Sequence, residues 1–84
     1  MRKKYKIFTI VTNSEDFSYG KKARVDVATT LEAAQEISQR LLDEFVGGDE
    51  TCFEIEKSEK LYTAQSSIDF AKFASKIEVH EVEL

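Results

Sequence analysis

One segment limits the folds open to this chain more than any other. Residues 29–48, TTLEAAQEISQRLLDEFVGG, open with two threonines and end in two glycines. Thr29-Thr30-Leu31-Glu32 fits a capping box, with Thr29 as N-cap and Glu32 reaching back. Leu31, Ala34, Ile37, Leu41 and Phe45 recur at the spacing of one helix face, and Leu42 and Val46 widen the stripe. Glu36 and Arg40 stand four apart on the other side, in the favourable order. Gly47-Gly48 fall where a left-handed C-cap is expected. The pattern predicts an amphipathic helix over roughly 30–46, and such a helix must lay its apolar stripe on a second layer.

The flanking segments supply that layer. Residues 4–12, KYKIFTIVT, read as a strand with Tyr5, Ile7, Thr9 and Val11 on one face and Lys4, Lys6, Phe8, Ile10 and Thr12 on the other. From Ile7 onward both faces are mainly apolar, as in a strand inside its sheet. Residues 13–22, NSEDFSYGKK, are polar and contain Gly20, so they read as a loop. Residues 23–29 alternate, with Ala23, Val25 and Val27 expected inward and Arg24 and Asp26 outward. The two strands suggest a hairpin closed by that long loop.

Residues 51–57 predict a third strand, with Phe53 and Ile55 inward and Glu54 and Glu56 outward. Leu61–Ala64 could add a short fourth. Ser66-Ser67-Ile68-Asp69 resembles another helix start, and Phe70, Phe73, Ala74 and Ile77 form one stripe of a short helix over about 67–76. Residues 77–84, IEVHEVEL, predict a last strand whose apolar phase changes. That change implies either a bulge near His80–Glu81 or burial on both faces. The order β-β-α-β-(β)-α-β gives an α+β fold: a two-layer domain over 1–84, with a mainly antiparallel sheet of four to five strands and both helices on one face.

Charge is segregated along the chain. Of 12 Lys and Arg and 16 Asp and Glu, residues 1–24 hold seven cations and two acids, and the remainder is strongly acidic. Opposite charges across neighbouring strands stabilise and like charges do not, so the basic first strand belongs beside an acidic one. The third and last strands should not be neighbours with their glutamates on the same face.

Composition and motifs exclude most chemistry. A chain of 84 residues buries a modest core. The lone Cys52 cannot form an internal disulfide and fits a reducing, cytoplasmic setting. The apolar run Ile7–Val11 is too short for a signal peptide, and no stretch approaches a bilayer span. Zinc would need about four Cys or His ligands, and the chain has Cys52 and His80 alone. No calcium loop and no glycine-rich phosphate cradle occurs. A Cys52–His80 dyad is possible in composition but has no local signature. Expected, therefore, are no catalytic residues, no metal and no cofactor.

What is left is a surface. Phe17 and Tyr19 sit in the polar 13–22 segment beside Lys21, Lys22 and Arg24, a set suited to anchoring a partner. The reading is a non-catalytic interaction module that binds another protein, or itself as a homodimer, through the sheet surface, a sheet edge or the 13–22 loop. Two alternatives use charge. Asp43, Glu44, Asp49, Glu50, Glu54, Glu56 and Glu59 could imitate nucleic-acid phosphates and block a DNA- or RNA-binding enzyme. Alternatively, the basic hairpin with its aromatics could hold nucleic acid, although the overall acidity opposes that.

Overall fold

The computed structural model describes residues 5–16, 20–48, 50–66 and 73–83. Its elements are β1 (Lys6–Asp16), β2 (Gly20–Ala28), α1 (Leu31–Val46), a 3-10 turn (Glu50–Cys52), β3 (Phe53–Lys57), β4 (Leu61–Ser66) and β5 (Ala74–Glu83). The strands form one antiparallel sheet in the order β2-β1-β5-β4-β3, with α1 on one face. The fold is therefore α+β.

The helix begins one residue later than its sequence suggests. Thr30 is the N-cap, in extended conformation, and its hydroxyl accepts a hydrogen bond from the Ala33 backbone N–H. That register puts Ala33 at the third helical position and Glu32 at the second. The reciprocal capping box is lost, but an acid still faces the positive helix end. Gly47 ends α1 in the left-handed region at φ 64°, its N–H bonded to the Asp43 carbonyl.

The centre of the buried stripe also differs. Ala34, Ser38, Leu42 and Val46 are buried, while Leu31, Ile37, Leu41 and Phe45 flank them and are partly covered. Small residues at 34 and 38 let the helix approach the strands closely. Ser38 is fully buried, and its hydroxyl donates to the Ala34 carbonyl at 2.8 Å, so no polar group is stranded there.

Beneath α1 lie Phe8 and Ile10 of β1, Ala28 of β2, Tyr62 and Ala64 of β4, and Ile77 and Val79 of β5. Phe53 and Ile55 of β3 complete this layer, with the Phe45 and Phe53 rings edge to face at 5.7 Å.

Four sequence expectations need correction. First, residues 13–22 are mostly ladder rather than loop. Asn13–Asp16 pair with Gly20–Ala23, and residues 17–19 lie outside the described ones. Residues 20–23 at this end of the hairpin are exposed, so it needs no apolar alternation, and Glu15 opposes Lys21 directly. Second, Val25 and Val27 point away from the helix and are exposed. Pairing of Phe8 with Ala28 and Ile10 with Asp26 dictates this, because directly opposed residues share a face.

Third, the expected second helix over 67–76 is not found. Ala74, Ser75 and Lys76 belong to β5, where backbone pairing with both β1 and β4 overrides the helical spacing. Residues 67–72 lie outside the described ones, and among the described residues α1 is the one α-helix. Fourth, β5 has no bulge: its pairing with β1 runs unbroken from Lys6–Glu83 to Glu15–Ala74. The phase change arises because Ile77 and Val79 face the helix while Val82 faces the opposite side.

One charge match follows the cross-strand rule: Lys6, at the head of β1, lies 3.5 Å from Glu81 of acidic β5, and β4 separates β3 from β5.

Candidate interaction surface

The sheet face opposite α1 has no covering element among the described residues. The strand registers bring five rows of side chains together on it. At one end Ile7 opposes Val82. Next come Val27, Thr9 and His80, followed by Val25, Val11, Glu78 and Leu61. Ala23, Asn13, Lys76, Thr63 and Glu56 make the fourth row, and Lys21, Glu15, Ala74, Gln65 and Glu54 the fifth.

The face thus has two characters. The first three rows carry the exposed apolar residues Val25 (63%), Val27 (58%), Leu61 (39%) and Val82 (37%), with Ile7 and Val11 half-buried between them. Isolated exposed aliphatics are ordinary, but a contiguous group on one sheet face is not. Glu78 interrupts the group on β5, held by Lys76 at 3.5 Å and His80 at 3.3 Å. The last two rows are polar and line a trough of about 550 Å³ bounded by Lys21, Glu15, Lys76, Gln65, Glu54 and Glu56.

The two sheet edges differ as well. At β3, five residues long, Lys57 donates to the Gln39 side chain of α1 at 3.1 Å. Gln35 likewise donates to the Glu59 carbonyl in the following turn, so the helix is fastened over that edge. Within β2, nine residues long, Arg24 donates to both Asp26 carboxylate oxygens, at 2.9 and 3.3 Å.

The residues singled out in the sequence are dispersed. Lys21, Lys22 and Arg24 all lie on β2, Lys21 toward the uncovered face and Lys22 and Arg24 toward the helix side. Phe17 and Tyr19 lie outside the described residues. Among the acids, Glu54 and Glu56 face the uncovered side, Asp43 and Glu44 ride on α1 in the other layer, and Glu59 is in the β3–β4 turn. Asp49 and the Glu50 side chain are not among the described groups.

Cys52 precedes β3 near the fifth row, whereas His80 stands in the second. Ala74 and His80 alone are about 20 Å apart along β5, so no dyad forms. Among the described residues no group of three His, Cys, Asp or Glu side chains could hold a metal, and no helix is long and apolar enough to cross a membrane.

Sequence reasoning missed Val25, Val27, Leu61 and Val82 as surface residues. The available signal was the phase of β2 relative to β1: aligning Ala28 with Phe8 exposes both valines. No protein-family model matches this chain, and comparisons with curated proteins and with solved structures likewise find no match.

Proposed function

We propose that this chain is a small interaction module of the cytoplasm, without catalytic activity of its own, that binds a protein partner through the uncovered face of its sheet. The carrying observation is the exposure of Val25, Val27, Leu61 and Val82 on a face that no element covers among the described residues. Burying such a group against a partner is favourable by about 25 cal/mol per Å² of apolar surface before the costs of association. The polar rows beside it supply a rim of paired charges that can orient the partner.

The charge-based readings fit less well. The acids that would imitate phosphate are divided between the two layers. The cations of β2 straddle both faces, and Arg24 is engaged by Asp26. A cationic groove or a phosphate backbone would meet only part of either set.

Capture from native lysate tests the reading with three immobilised proteins: the wild type, the double variant Val25→Lys/Val27→Lys, and Arg40→Glu on the exposed side of α1. Specific partners should bind the wild type and Arg40→Glu and be lost from the double variant. Equal capture by all three would sink the proposal.

A further inference from the structure

We infer that β2 is a self-complementary edge through which two copies of this chain join into one continuous ten-stranded sheet. The inference goes beyond the proposed function: the two copies join at a sheet edge, and the apolar face stays open to the protein partner.

β2 is an outer strand whose register with β1 is unbroken over nine residue pairs. Among the described residues no strand pairs with its outer side, whose backbone edge is the template another strand would use. Natural edges are often blunted by shortness, proline, bulges or covering elements. β2 has nine residues, no proline and no bulge. The opposite edge, β3, is shorter and is fastened to the helix by Lys57 and Gln39.

The order of charges on β2 favours one fit for a second copy, the one that sets opposite charges against each other. Two β2 strands related by a two-fold axis run antiparallel, and the axis must pass through a residue position if both helices are to lie on the same side of the joined sheet. An axis at Arg24 would oppose Arg24 to its own copy. An axis at Asp26 would oppose Asp26 to itself, and one at Ala23 would oppose Lys22 to Arg24. An axis at Val25 sets Arg24 of each copy against Asp26 of the other.

With the axis at Val25, Lys22 meets Ala28 and no like charges are opposed anywhere over residues 22–28. The existing Arg24–Asp26 pair, with side chains 61% and 24% exposed, can then be exchanged between copies. On the uncovered face Val25 opposes Val25 and Val27 opposes Ala23, so the apolar patch becomes continuous across the joint.

Sedimentation of the full chain at micromolar concentration tests this. The wild type should sediment as a dimer. Arg24→Asp and Asp26→Arg should each raise the dimer dissociation constant at least about tenfold, because each replaces two attractive pairs by two repulsive ones. An equimolar mixture of these two variants should recover a dimer, because Arg24→Asp then faces Asp26→Arg and the native Arg24 faces the native Asp26. As a measurement independent of those variants' folding, Val25→Cys in a Cys52→Ser background should oxidise to a covalent dimer, and Thr9→Cys in the same background should not.

A mixture of folded variants that stays monomeric, or equal cross-linking at positions 25 and 9, overturns the inference. A monomeric wild type that still captures a partner in a Val25/Val27-dependent way overturns self-pairing alone. A monomeric wild type that captures nothing overturns both proposals.

Discussion

Ile10 and Val11 are neighbours on the same strand and live in different worlds. Ile10 is fully buried under α1, whereas Val11 lies half-buried on the uncovered side, between the exposed Val25 and Glu78. Similar apolar residues therefore serve two purposes in one sheet. On the covered face they close the core. On the other they are apolar surface whose burial is incomplete in the single chain. The difference shows that hydrophobic alternation alone says that a strand has two faces, but not which one receives the helix.

The largest expected effect breaks the symmetry between those neighbours. Ile10→Ala should destabilise by about 3 kcal/mol, the loss of buried methyl groups plus the cavity left behind, whereas Val11→Ala should cost about 1 kcal/mol or less. Urea unfolding measures both, and equal midpoints would mean that the two faces are equally covered. Next in size is Ser38→Leu. A larger side chain at this fully buried position must push α1 off the sheet, at a cost of about 2 kcal/mol despite the gain in hydrophobicity. A thermal melt that rises instead would show slack between the layers. Smallest is Val27→Thr on the uncovered face. Its stability should stay within about 0.5 kcal/mol of wild type, and a drop comparable to that of Ile10→Ala would show Val27 to be core.

The sequence made the covering helix legible almost to the residue, because α1 carries its own start and stop signals and keeps a helical apolar period over its 16 residues. β3 and β4 were legible for a related reason: Phe53 and Ile55 alternate with glutamates, and the short run from Leu61 is bounded by a polar turn. The polar end of the first hairpin was not. Asn13–Asp16 and Gly20–Lys22 have loop composition, and their strand structure comes from backbone pairing and from the Glu15–Lys21 match, neither of which leaves an apolar period. The facing of β2 was misread because valines are larger hydrophobes than Ala28, while the actual choice is made by register with Phe8 and Ile10. The candidate surface inherits that error at Val25 and Val27, which alternation alone places inward.

Ser75 adds a local cost to this picture. It is buried, and neither its hydroxyl nor that of Thr12 has a hydrogen-bond partner among the described residues. Both lie beside the C-terminal half of α1, in a groove lined by Leu41, Glu44 and Phe45. Packing is thus less completely satisfied at that end than around Ile10 and Leu42.

The position of β5 has a kinetic consequence. The final described strand in sequence occupies the middle of the sheet, and its partner β1 is the first, so pairs such as Lys6–Glu83 close almost the entire chain into a loop. The hairpins β1–β2 and β3–β4 can each zip up from nearby residues, but they remain two fragments until β5 slides between them. Loop-closure entropy must be met before that insertion is rewarded, which places the rate-limiting step late and makes it non-local. Substitutions in β5 should therefore slow refolding more than equally destabilising ones in α1, so the strand that completes the sheet also sets its tempo.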